Sequence, residues 1–268
     1  MSPPRLHGRT ALVTGAARGL GASVAQLFHA EGANVVIADV RDDEAIALAA
    51  KLGSRALAVH LDVSSETEWT SALERTREAF GALHILVNNA GIFRVKPMRE
   101  TSTDEYLLVV RINQLGCFLG MRACVEPMRA AGGGSIINIA STAGIEGVAG
   151  ALPYTASKHA VVGMTRAAAL ELAALKIRVN VVCPGGMATP LLVESLGVPL
   201  ETLTTMDTPW NPLRRMGHPD EIARTALFLA SDDSSYATGS VFVIDGGLTA
   251  GVPSAASEPA ASEPSAKQ

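Results

Sequence analysis

The 268-residue chain is poor in several things that whole classes of protein require. Aromatic residues make up 4% of it, and cysteine occurs three times, at Cys117, Cys124 and Cys183. Three thiols build no disulfide framework, so reduced, buried cysteines in a cytoplasmic protein are expected. Cys117 and Cys124 are seven apart, on one side of an expected helix, and read as core. Six histidines are scattered, no His/Cys cluster has ligand spacing, and no metal is expected. Basic residues are not in excess: Lys and Arg number 22 against 26 Asp and Glu, for a net charge of −4 with His neutral. That balance leaves no basic patch for a nucleic acid. Apolar runs break off well short of the roughly 18–20 residues of a membrane span. The opening Met-Ser-Pro-Pro-Arg-Leu-His-Gly-Arg has no signal-peptide core. Neither a nucleic-acid nor a membrane partner is expected.

What the chain does have is apolar bulk in a regular order. Hydrophobic residues reach 48% and charged ones 18%, which suits one α/β domain with a large core. Strands are expected near 10–14, 34–39, 55–61, 84–88, 134–140, 177–183 and 240–244. Helices are expected near 19–31, 42–52, 66–80, 103–130, 154–175 and 220–230. Runs such as His84-Ile85-Leu86-Val87 and Ile136-Ile137-Asn138-Ile139 are apolar throughout, as strands buried on both faces require. The alternation predicts a single-domain, Rossmann-type, doubly wound parallel sheet of about seven strands with helices on both faces. Ligands would then sit at the carboxyl ends of the strands. The domain is expected to fill 1–251, with 252–268 (Ser-Glu-Pro and Ala-Ala-Ser repeats) as a disordered tail.

The first strand runs into Thr14-Gly15-Ala16-Ala17-Arg18-Gly19-Leu20-Gly21 and then an amphipathic helix. Strand, glycine turn and helix in that order make a phosphate cradle. Gly15 permits the tight turn, while Gly19 and Gly21 let backbone and helix end approach a pyrophosphate. The spacing is G-x-x-x-G-x-G rather than the commoner G-x-G-x-x-G. The second strand ends in Asp39, followed by Val40. A carboxylate there can bind the adenosine ribose hydroxyls and repel a 2′-phosphate, which favours NAD(H) over NADP(H). Arg18 and Arg41 are cations that point the other way, and Asp39 is weighted above them.

Tyr154 and Lys158 are four apart on an expected helix, thirteen and seventeen residues after Ser141. Residues at i and i+4 share a face. A lysine ammonium beside a phenol favours phenolate, which suits a proton donor and acceptor for a carbonyl–alcohol pair.

Together these motifs resemble the short-chain dehydrogenase/reductase family, from about Gly8 to Gly251. The resemblance also takes in Asp62-Val63, Asn88-Asn89-Ala90-Gly91, Asn113, Pro184-Gly185 with Thr189, and Asp245-Gly246-Gly247. It implies that Tyr154 is the acid/base, that Lys158 lowers its pKa and binds the nicotinamide ribose, and that Ser141 bonds the substrate oxygen. It implies that Asn113 holds a water relaying protons from Lys158. Asp62 and Val63 would touch the adenine. Asn89, Ala90 and Gly91 would line the cofactor cleft together with Leu20, and Pro184, Gly185 and Thr189 would meet the nicotinamide. A homotetramer built on the two long helices is implied as well; Ala160, Val161, Ala168 and Ala169 on the second would permit close helix contact there, or could equally face the sheet. Departures are Ala140 before Ser141, Arg111 two residues before Asn113, and the Gly186-Met187-Ala188 approach to Thr189.

A lid is expected over about 190–216, carrying Leu191, Leu192, Leu196, Leu200, Leu203, Met206 and Trp210. With Ile92, Phe93, Ile145, Val148, Leu152 and Met187 it would form an apolar wall for a bulky secondary alcohol or ketone. The same side chains serve equally well to pack a lid. Glu146 could meet a substrate amine and Arg94 an anion, against a solvated-loop reading of each. The stretches Leu83–Asn88 and Ser234–Gly239 look most like NAD-linked bacterial hydroxysteroid dehydrogenases. Competing readings are an NADPH-dependent 3-oxoacyl-carrier reductase, and a non-catalytic nucleotide-binding protein that the Ser141/Tyr154/Lys158 set disfavours.

Overall fold

Seven parallel strands form one sheet in the computed structural model, which describes residues 4–251. They are β1 Thr10–Thr14, β2 Asn34–Asp39, β3 Ala56–His60, β4 Ile85–Asn88, β5 Gly134–Ile139, β6 Ile177–Pro184 and β7 Val241–Ile244. The order across the sheet is β3-β2-β1-β4-β5-β6-β7, with every neighbouring pair parallel. The helices are α1 Gly19–Ala30, α2 Asp42–Leu52, α3 Glu66–Phe80, α4 Thr103–Val109, α5 Gly116–Ala130, α6 Leu152–Leu172, α7 Pro190–Leu196, α8 Leu200–Thr205 and α9 Pro219–Ala230. This is the expected Rossmann-type arrangement. The chain reverses its winding between β1 and β4, and a crevice opens at their carboxyl ends.

Two apolar layers clothe the sheet. On one face Val13, Val35, Ile37 and Ile137 meet Val24 and Phe28 of α1, Leu48 of α2 and Leu227 of α9. On the other, Leu12, Val36, Leu86 and Val179 meet Trp69 of α3, Cys124 and Met128 of α5, and Val161 of α6. Central strands are buried on both sides, which is why they lack the alternation of a half-exposed strand. Helix starts carry local caps: Ser65 accepts from the Glu68 amide, and Ser102 with Glu105 forms a capping box before α4.

The structure departs from expectation along the long helix. The span 103–130 is interrupted at Val110–Leu115 by a π turn, which joins α4 to α5. Thr103–Ala130 as a whole is long and apolar enough to cross a membrane, contrary to the expectation drawn from apolar runs. Val109, Leu119, Cys124 and Met128 of this stretch are buried in the core instead. The second long helix begins at Leu152, with Pro153 in its first turn. Segment 190–216 contains two short helices, α7 and α8, that apolar periodicity did not reveal. The expected tail, 252–268, lies outside the described residues.

Candidate active site

The glycine turn between β1 and α1 is closed to side chains. Gly15 has φ +61°, and a Cβ on it would stand 2.8 Å from the Ala90 Cα. A Cβ on Gly21 would stand 2.2 Å from the Gly15 carbonyl oxygen. Gly21 therefore seats α1 under the turn, which lets the helix end come close to the cleft although Gly21 itself does not line it. The loop after β4 is stapled to the turn. Asn89 Nδ2 donates to the carbonyls of Thr14 (2.9 Å) and Gly15 (3.0 Å), and the Asn89 and Ala90 amides donate to Thr14 Oγ1, each at 3.0 Å. Helix α1 has no side-chain cap, so its first amides remain available to an anion.

Asp39 is buried and fixed at both oxygens: Oδ2 accepts from the Ala17 amide at 3.0 Å and Oδ1 from the Arg41 amide at 3.1 Å. It thus joins the end of β2 to the glycine turn. Arg18, Gly19, Leu20, Val40, Asp62, Val63 and Gly91 line the same cleft. Asp62 Oδ1 is turned onto the Ser64 amide and hydroxyl, which holds the loop after β3 in place. The cleft has a volume of about 640 Å³. That room, the uncapped helix end and the side-chain-free turn fit a dinucleotide together with a small substrate.

The chemistry-bearing side chains converge at the opposite end. Ser141 follows β5, and Tyr154 and Lys158 project from the first turns of α6. The Ser141 hydroxyl accepts from the Ala143 amide at 3.1 Å and is near enough to the Tyr154 phenol to lower its pKa; the phenol ring packs edge-on against Phe93 with centroids 4.7 Å apart. Lys158 Nζ donates to the Ile139 carbonyl at 2.8 Å and lies 5.5 Å from the centre of the Tyr154 ring. Burial pushes the phenol up to about 12, and Ser141 pulls against it. Burial also brings the Lys158 ammonium down to about 8. In this structure, then, Lys158 does not set the phenol below its ordinary value as its spacing suggested. Loss of water around each group sets the direction of its shift.

Asn113 lies in the π turn, behind the cleft. Its Oδ1 accepts from the Ile92 amide (2.8 Å), and Nδ2 donates to the Ile92 carbonyl (2.9 Å) and Ser157 Oγ (3.2 Å). It grips the backbone beside Gly91 and positions α6 through Ser157. Asn113 and Lys158 share a cavity of about 10 Å³, close to the room one water needs.

Of the expected substrate contacts, Phe93, Arg94, Met187, Leu191 and Leu192 line the cleft, as do Pro184, Gly185 and Thr189. Ile145, Glu146, Leu152 and Trp210 do not. Ile145 and Leu152 are exposed, and Glu146 follows a short 3₁₀ turn that carries it outward. Trp210 is 60% exposed because its neighbour Asn211 is tied to the other side: Nδ2 donates to the Asp245 carbonyl at 3.1 Å, and Oδ1 accepts from the Leu213 amide at 2.9 Å. Residues of the cleft not singled out from sequence include Thr142, Pro190 and Glu194. Thr142 follows Ser141 and Pro190 follows Thr189, so adjacency could have found them. Glu194 carried no signal beyond being the one charge in an apolar helical turn.

A family model described as "Enoyl-(Acyl carrier protein) reductase" matches residues 15–249. A 3-alpha-(or 20-beta)-hydroxysteroid dehydrogenase of Mycobacterium tuberculosis is 45% identical, the match covering 92% of each chain. A trans-4-hydroxycyclohexanecarboxylate dehydrogenase of Sinomonas cyclohexanicum is 44% identical over 92% of this chain and 95% of its own. The crystal structure of a short-chain type dehydrogenase/reductase from Mycobacterium marinum superposes with a TM-score of 0.85 at 37% identity, covering 92% of this chain and 98% of that one. A side-chain-free phosphate turn, a cleft of dinucleotide size and these relatives agree: the chain belongs to the short-chain dehydrogenase/reductase family, oxidoreductases that act on CH–OH donors in small molecules with a nicotinamide cofactor.

Proposed function

We propose that this protein interconverts a bulky or cyclic apolar secondary alcohol and its ketone, using NAD(H), with Tyr154 as the acid/base. The observation that carries this reading is the joining of two unlike ends by one cleft. At one end Ser141, Tyr154 and Lys158 line the cleft together, and at the other Asp39 presents a fixed carboxylate. The glycine turn, the α1 amides, Asp62, Val63 and Asn89–Gly91 would hold the dinucleotide, which would supply hydride transfer when bound.

The chain's own residues do the rest. Ser141 donates to the substrate oxygen, and Tyr154 passes a proton to that oxygen in reduction or takes one in oxidation. Lys158, held by Ile139, keeps positive charge beneath the phenol and favours phenolate as the alcohol loses its proton. The cavity shared by Lys158 and Asn113 offers a route for that proton away from the substrate. Asn113, with its side chain spent on Ile92 and Ser157, acts as a positioning residue. Phe93, Met187, Leu191 and Leu192 supply an apolar wall, and 190–216 serves as the lid. The ring alcohols in the names of the two dehydrogenase relatives support a cyclic substrate.

The protein is further proposed to be a cytoplasmic homotetramer. Its three cysteines are buried and free. Leu107 and Leu108 on α4, Leu115 in the π turn, Phe118 on α5 and Leu170 on α6 stand exposed. Val161 and Ala169, expected at the interface, pack inward. Light scattering at working concentration checks the assembly, and a monomer peak would refute it.

The functional test is NADH formation across hydroxysteroids, aryl alcohols, amino alcohols and small cyclic alcohols, with NADP⁺ in parallel. Turnover of cyclic alcohols with NAD⁺ is expected. Turnover only with NADP⁺ and 3-oxoacyl thioesters would put the carrier-reductase reading in its place.

A further inference from the structure

One carboxylate, delivered by the lid, holds two arginines at the adenosine end of the cleft. Glu194 of α7 accepts from Arg18 Nη2 at 2.6 Å and from Arg41 Nη2 at 3.4 Å, through the same Oε1. Arg18 precedes α1, and Arg41 stands two residues after Asp39. All four line the cleft. Arg18, and more weakly Arg41 and the nearby Arg94, hold the Glu194 carboxyl below its ordinary range. The hydroxyl of the next residue, Ser195, has two acceptors for its one proton, the Leu191 carbonyl of its own helix at 2.7 Å and the Phe93 carbonyl across the cleft at 2.9 Å. Consecutive residues thus set α7 against both shores.

Two guanidiniums beside the carboxylate that receives a ribose would ordinarily make a receptor for a 2′-phosphate, since arginine forks bind phosphate oxygens in pairs. Here Arg18 is turned onto Glu194, and Arg41 divides its two nitrogens between Glu194 and Glu44, each at 3.4 Å. We propose that Glu194 is a cofactor-selectivity residue: it occupies the cationic corner between Arg18 and Arg41 and so excludes a 2′-phosphorylated dinucleotide. This rests on the NAD reading given above and explains how the chain keeps that preference with two arginines at the ribose. Asp39 repels a 2′-phosphate from the sheet side, and Glu194 neutralises its counter-cations from the lid side. Exposed ion pairs are individually weak, so the effect expected of one such residue is about tenfold rather than absolute.

The test is isothermal titration with ADP-ribose and 2′-phospho-ADP-ribose, which differ only in the 2′-phosphate and support no turnover. Wild-type protein is expected to favour ADP-ribose. Glu194→Gln is expected to close that gap by about tenfold, through tighter binding of the phosphorylated ligand. Adding Arg18→Ala to Glu194→Gln should abolish the gain. Glu194→Ala is measured in parallel, so that a folding defect in one variant leaves the other to report. An unchanged gap in a variant that melts like wild type would overturn the inference and leave the NAD reading standing. Equal weakening of both ligands would also overturn it, since Glu194 would then only secure the lid. A wild-type preference for the phosphorylated ligand would overturn the NAD reading itself.

Discussion

The nucleotide end and the substrate end of the cleft are built in opposite ways. At the nucleotide end the contacts are backbone bonds and short polar side chains: Asn89 on the Thr14 and Gly15 carbonyls, Asp39 on the Ala17 and Arg41 amides. These groups have little conformational freedom to lose when a ligand arrives. At the substrate end the wall is made of Phe93, Val148, Met187, Leu191 and Leu192, drawn from separate loops and a short helix. The first end selects by fixed geometry. The second selects by volume and by how α7 settles.

The comparison can be broken most decisively at the chemistry between the two ends. Tyr154→Phe should lower turnover by about 10²–10⁴ while leaving ADP-ribose affinity unchanged by titration. Full turnover in that variant would sink the mechanism. Next in size is Gly21→Ala, which forces a Cβ to 2.2 Å from the Gly15 carbonyl. About 1–3 kcal/mol of stability should be lost, read as a lower midpoint in urea, together with weaker ADP-ribose binding. A variant that binds and melts like wild type would mean the turn yields more easily than its packing implies.

The pH dependence sharpens the asymmetry. With the phenol pushed up to about 12, Tyr154 is protonated at neutral pH and ready to donate. Ketone reduction should therefore stay level from pH 6 to 9, and alcohol oxidation, which needs the phenolate, should climb with pH by up to about tenfold per unit. Lys158, brought down to about 8, loses its charge above that value, so the climb should flatten there. Oxidation that does not change with pH would show that proton transfer lies elsewhere or is not rate-limiting. The smallest effect belongs to Trp210→Ala, which should change kcat/KM for a cyclic alcohol by no more than about threefold, because the ring points to solvent. Leu192→Ala, inside the cleft, should raise KM by more. Equal effects would erase the distinction between lining and lid exterior.

The two ends also differed in how far they could be read before the fold was known. All seven strands fell within a residue or two of expectation; the central ones did so because a doubly buried strand writes itself as an unbroken apolar run. The glycine turn was legible for a related reason: positive φ at Gly15 and Gly19, and the close approach at Gly21, leave a mark in residue type. Leucines leave no such mark. Leu191 faces the cleft and Leu196 faces solvent, five residues apart in one lid, and composition treats them alike. Trp210 was misplaced because its direction is decided by Asn211 reaching Asp245, a contact across 34 residues. The phenol's high value was missed because i,i+4 spacing fixes which residues share a face but says nothing of the water around them.

The π turn at Val110–Leu115 bears on two properties that a sequence comparison would list separately. A π turn holds more than the 3.6 residues of an α-helical one. The surplus residue is taken up inside the turn, so α4 and α5 keep nearly the phase of one continuous helix. Deleting one residue there would restore regular winding with little rotation of α4 about α5, but it would remove the bulge that carries Asn113 to Ile92. Leu107, Leu108 and Phe118 would keep their places on the outer side. The bulge therefore separates the two faces of one helix: a lineage that drifts in length at this point alters its inner wall and leaves most of its outer apolar strip as it was.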